Sequence, residues 1–145
     1  ELGATVRSNY EAAMEMTMEQ VGWACREQMN ICQKFEQLYE DFDVLICPGV
    51  GVPPFLHEQN FPTEIDGAPM ENYLQWVGLT SALSVTGHPV TAIPCGVEPG
   101  GTPFGIQVVG PRYGDRRTLS VASVLEELFA GDPMTARPIP DLEKL

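Results

Sequence analysis

The sequence predicts an α/β fold, part of a mixed β-sheet flanked by helices. Three observations predict it. Val90 to Ile93 and Phe104 to Val109 are short, β-branched, apolar runs bracketed by Gly and Pro, the pattern of buried strands. The link between them, Glu98-Pro99-Gly100-Gly101-Thr102-Pro103, is built of residues that supply positive φ or fix it, so the simplest pairing is antiparallel. Apolar residues on both faces of each run imply that both faces are covered, and the helical periodicity before and after supplies the covers.

The first helix has two candidate starts, since Ser8-Asn9-Tyr10-Glu11 and Thr17-Met18-Glu19-Gln20 both fit a capping box. A break near Thr17 with a restart accommodates both. From there Met18, Val21, Cys25, Met29, Cys32, Phe35, Tyr39 and Phe42 recur at three- and four-residue steps, an apolar stripe expected to pack in the core. Asp43 to Cys47 reads as a strand closed by Pro48-Gly49. Val50 to Ala68 is rich in Pro and Gly and has no period, so it is expected to be a long structureless loop, the wall or lid of a pocket. Asn72 to Ser84 reads as one helix ending at Gly87, a residue suited to the left-handed cap. Asp115 is placed to cap a last helix with Leu119, Ala122, Leu125, Leu128 and Phe129 inward, stopped by Gly131-Asp132-Pro133. Residues 1–131 thus form one unit and 132–145, with Pro138 and Pro140, a tail.

At 145 residues the chain is one domain's worth. Its net charge is −12, and no Lys or Arg occurs between Lys34 and Arg112. Nucleic acid and anionic membrane surfaces, which need cations, are therefore not expected partners. No apolar run approaches the ~18 residues of a membrane span, and Glu1 to Arg7 lack the basic n-region and apolar core by which a signal peptide is recognised. The chain starts at Glu1 rather than Met, as a processed or truncated start would. Cys25 and Cys32 lie about 10 Å apart along a helix, too far for a disulfide. With no CxxC and no Cys/His cluster, neither zinc nor a cofactor is expected. The four cysteines read as reduced, mostly buried thiols of a cytoplasmic protein.

Few residues here carry chemistry on their own. There is no G-x-S-x-G elbow and no phosphate-cradling loop. His57 sits in the long loop and reads as a surface residue rather than a general base. His88, between Gly87 and Pro89, reads as a structural corner, and Cys95 as a structural thiol. Gln107, inside a strand, must find hydrogen-bond partners for a buried amide.

Gly87-x-Pro89, Ile93-Pro94-x-Gly96, Gly101-x-Pro103-x-Gly105-x-Gln107-x-x-Gly110 and Asp115 ahead of a helix running to Glu126 form an ordered set. It resembles the C-terminal signature of the amidase signature family. Asp43 to Pro48 and the acidic helix around Arg26 fit as well, so the likeness runs from about Arg7 to Phe129. The resemblance implies a parent hydrolase that cleaves a carboxamide C–N bond with a Ser–cisSer–Lys triad. In the family the triad lies in the N-terminal portion, and no residue here matches it. This chain would then be inactive alone and supply sheet strands and part of the substrate pocket. Its partners would be a small-molecule amide and the missing portion, or failing that a second copy of itself. Trp76, on the helix that faces the pocket in the family, and Ser84, where the family has Asn, are the pocket candidates. Glutamine-using amidotransferase A subunits are expected to place an acid on this helix; Gln75 to Gly78 offer none, which favours a less polar amide. The competing reading is a non-catalytic acidic scaffold or interaction module that keeps the family's architecture.

Overall fold

The computed structural model describes residues 3–144, so the readings that touch Glu1, Leu2 and Leu145 fall outside it. Helix α1 (Ala4–Met14) starts at Gly3 with no side-chain cap, so Ser8 lies inside a helix rather than at its start. The second capping box is present. Thr17 Oγ1 accepts from the Gln20 N–H at 3.2 Å, Gln20 Oε1 accepts from the Thr17 N–H at 2.8 Å, and α2 (Met18–Asp41) follows.

The side-chain hydrogen bonds from α2 to other elements, among the described residues, start at Gln28 and run toward its C-terminal end. Gln28 Nε2 donates to the Val85 carbonyl at 2.8 Å, Cys32 lies against the Thr86 carbonyl, and the Tyr39 hydroxyl donates to the Val109 carbonyl at 3.0 Å. Of the expected stripe Cys32 is buried and Phe35 and Tyr39 are half-buried, whereas Met18 is 85% exposed and Val21, Cys25, Met29 and Phe42 are also exposed. The helix overhangs, so the first half of its apolar face has nothing to pack against. The thiols follow suit: all four cysteines are free, but only Cys32 is buried.

Three strands form the main sheet: β1 (Leu45–Pro48), β4 (Val90–Val97) and β5 (Pro103–Val109), in the order β1-β5-β4 and antiparallel throughout. Central β5 aligns Val108 with both Ile46 and Thr91, and Gln107 with both Cys47 and Ala92. One face carries Ile93, Ile106 and Val108 and is covered by α5 (Asp115–Ala130) through Val121, Ala122, Leu125 and Phe129. Val108 and Val109 are wholly buried; each contributes about 1.5–3 kcal/mol by leaving water. In α5 the inward residues differ from the expected set. Thr118 is fully buried, while Leu119 and Leu128 are 59% and 64% exposed. Thr118 fits because Gly110 has no side chain; a Cβ there would collide with its hydroxyl.

The long loop is not structureless. Strands β2 (Glu64–Ile65) and β3 (Ala68–Pro69) pair as a small hairpin. Asp66 and Gly67 at its tip both have positive φ, 49° and 76°, the two-residue turn that matches strand twist. The expected helix from Asn72 is two: α3 (Tyr73–Trp76), capped by the Asn72 side chain, and α4 (Gly78–Val85), separated by Val77 at ψ 12°. Gly87 takes the left-handed conformation just past the end of α4, as its position required.

After α5 the chain turns back. The Thr135 hydroxyl donates to the Phe129 carbonyl at 3.2 Å, and the backbone of Met134 and Thr135 lies against Gly96, at the irregularity of β4. The first residues of the expected tail are therefore docked on the sheet.

Candidate functional site

At the end of the sheet where β1 stops and β5 starts, the chain passes from Pro48 through Val50 and Gly51 beneath α3 and α4. Trp76, Val77, Leu79 and Thr80 face Val50 and Gly51 across a narrow cleft of about 30 Å3. Trp76 is held edge-on by Phe55 and Tyr73, with ring centroids 5.4 and 5.8 Å away. Its indole N–H is buried and has no hydrogen-bond partner. An indole donor out of water normally finds an acceptor, so the partnerless Trp76 N–H is an exception to the rule. Ser84, the other pocket candidate, does not line the cleft. It is exposed, and its hydroxyl donates to the Thr80 carbonyl, one turn back, at 2.9 Å.

Gln107 is buried. Its Nε2 donates to the Pro48 carbonyl at 2.9 Å and reaches the Gly49 carbonyl at 3.4 Å, which fixes the chain as it enters the cleft. The sequence raised the question of this amide's partners, and the end of β1 answers it.

Among the described residues neither histidine makes a hydrogen bond to a nucleophilic side chain. His57 is exposed beside Glu58, 3.3 Å away. His88 is 6% exposed, its ring against Phe35 and Tyr39 at 4.9 and 5.4 Å, and neither ring nitrogen has a hydrogen-bond partner. Burial pushes its pKa below the ordinary histidine value; Glu36 opposes this and Arg112 adds to it. Burial pushes the Tyr39 phenol up to about 12, with Cys47 and Glu36 adding, and burial also raises the Cys47 thiol. His88 is thus a neutral packing element, as its place at the strand entry suggested. Among the described residues no group of three His, Cys, Asp or Glu is placed to hold a metal ion, and no helix is long and apolar enough to cross a membrane.

The profile of the family described as Amidase matches residues 4–119, most of the chain. The chain belongs to the amidase family. Among curated amidase relatives, the A subunit of glutamyl-tRNA(Gln) amidotransferase from Halothermothrix orenii is 31% identical over 109 residues, 74% of this chain and 21% of that protein. Its counterpart from Natranaerobius thermophilus is 33% identical over 106 residues, 73% of this chain and 20% of that protein. The chain therefore spans about a fifth of the length of these curated relatives. Among solved structures, a bacterial aryl acylamidase of the amidase signature family superposes with a TM-score of 0.79 at 18% identity, over 91% of this chain and 27% of that one. The glutamyl-tRNA(Gln) amidotransferase A subunit of Thermotoga maritima gives 0.63 at 16% identity, over 98% of this chain and 31% of that one. These likenesses establish the amidase fold.

The amidase motif residues are dispersed in role. Gly87, Gly96, Gly105 and Gly110 shape turns and close backbone approaches, and Gln107 ties β5 to β1. Trp76 lies outside the Gly/Pro motif; it lines the narrow cleft, and its buried indole N–H has no hydrogen-bond partner.

Proposed function

We propose that this chain is the C-terminal portion of an amidase whose Ser–cisSer–Lys triad lies on sequence outside it. It contributes three strands of the sheet and one wall of the substrate pocket, with Trp76 in that wall. The Trp76 cleft carries this reading: a buried, partnerless indole N–H beside a narrow apolar slot suits one wall of a pocket for a weakly polar carboxamide, a pocket that the missing portion would complete. The lack of an acid at Gln75 to Gly78 supports such a substrate over free glutamine. Two further features support a chain built to be covered. Among the described residues no strand pairs with the outer edge of β4, and Ile46, Val90 and Val97 are exposed on the sheet. Alone, the chain self-associates through these surfaces.

The test is to express the chain with its upstream coding region and assay an anilide and glutamine side by side. The parent should hydrolyse the anilide faster than glutamine, and the chain alone neither. Trp76→Ala in the parent should raise KM about tenfold, the loss of about 1.4 kcal/mol of binding, and change kcat less. A restored protein inactive on every carboxamide tried would overturn the reading in favour of the non-catalytic acidic module.

A further inference from the structure

A second, larger groove lies beside the Trp76 cleft and holds a charge that nothing around it balances. It encloses about 280 Å3, with Pro48, Val52, Pro53 and Phe104 as walls and Glu98 and Thr102 on one side. Val50 and Gly51 line both spaces, so the two adjoin.

Glu98 is half-buried and held in place. Its carboxylate accepts a hydrogen bond from the Thr102 hydroxyl. Its backbone N–H donates to the Thr102 carbonyl at 3.0 Å, and its carbonyl accepts from the Gly101 N–H at 2.9 Å. The turn thus pins the carboxylate at the groove instead of letting it swing into water. No Lys, Arg or His lines the groove, and among the described residues no ion pair involves Glu98. The whole stretch from residue 35 to 111 has no Lys or Arg to supply one. An anion entering here would meet a fixed negative charge and no cationic donor. A cation would meet a carboxylate set in apolar surroundings, where water screens the attraction less than at the open surface, and the Phe104 ring nearby.

We infer that this groove binds an organic cation: a protonated amine on an apolar body, with the charge at Glu98 and the body against Val52, Pro53 and Phe104. The ligand class follows from residues of this chain and does not depend on where the triad lies. If the proposed function holds, the adjoining clefts would let one molecule place an amide at Trp76 and an amine at Glu98.

Ligand-observed NMR titration on the protein expressed with its upstream coding region tests it, since there the surfaces through which the chain alone self-associates are covered. The probes are 4-phenylbutylamine, 4-phenylbutanol and 4-phenylbutyrate, which share a body and differ in charge. The amine should bind about fivefold tighter than the alcohol, the upper range for a partly screened ion pair, and the carboxylate weakest. Glu98→Gln keeps an oxygen for Thr102 and should bring amine and alcohol level. Raising salt in the unmutated protein should weaken the amine alone, a second readout that needs no variant. Equal binding of amine and alcohol, a preference that survives Glu98→Gln, or no binding of any probe would overturn the inference. None of these outcomes bears on whether the restored parent hydrolyses an anilide, so the two readings fail separately.

Discussion

Gly96→Ala is expected to be far more costly than its position near the end of a strand suggests. Gly96 has φ of 76°, where an L-residue with a side chain costs about 1–2 kcal/mol. A Cβ there would lie 3.1 Å from the Met134 carbonyl carbon and from Thr135 Cα, and closer still to the Met134 carbonyl oxygen. These are backbone atoms and cannot rotate aside, so residues 134 and 135 must lift off the strand. Lifting them breaks the Thr135 hydroxyl bond to Phe129, worth about 1 kcal/mol, and loses the packing around it. These two terms come to about 2–3 kcal/mol, and the lost packing adds to them. Gly101 is the control: its φ is 88°, but nothing lies within 4 Å of a Cβ built there, so Gly101→Ala should cost only the backbone term. Urea unfolding of both variants measures the difference, at least about 1 kcal/mol. In a chain cut after Gly131 the obstruction is gone, and the two substitutions should cost the same. Equal costs in the full chain, or an excess that survives the truncation, would refute the docking of the tail on β4.

Gln107→Leu should destabilise by about 1–3 kcal/mol in urea unfolding, because it leaves the Pro48 carbonyl without its donor beside the central strand. His88 supplies a pH dependence. Its folded pKa is depressed by burial, so the unfolded chain binds the proton more readily. Stability is then complete above the ordinary value of 6.5 and is lost as pH falls from there toward the lower folded value. His88→Phe should flatten that loss in urea midpoints taken from pH 7.5 down to 5, with Glu36 and Arg112 left in place.

The features legible in the sequence were the local ones. β4 and β5 announce themselves by β-branched runs between Gly and Pro, and their antiparallel pairing by the short link. Thr17 and Gln20 are close enough in sequence to specify a cap, and Gly87 to specify a left-handed turn. The α2 stripe shows the limit of periodicity, which names the face that can be buried but not whether a partner is present. Met18 and Cys32 share that stripe, yet only Cys32 has a neighbour. In α5 the apolar residues misled, since the slot left by Gly110 takes a threonine and turns Leu119 outward. The Asp66-Gly67 hairpin carried its own turn signal, masked by the surrounding prolines. Trp76 could be named from the sequence as a pocket candidate, but its partnerless N–H could not be read there. Glu98 and Val52 come together only because β1 and β5 pair, so their groove has no signature along the chain.

The single amide in the middle of β5 has a consequence for how the strands find one another. Slipping β5 by one residue against its neighbours exchanges its two faces. The amide of Gln107 would then point into the oily layer under α5 while Val108 took its place opposite the end of β1. That misaligned hairpin strands a dipole in hydrocarbon and leaves the chain's entry to the cleft unfastened. One polar side chain thus acts as a key: of the neighbouring alignments, only the native one lets the lock close.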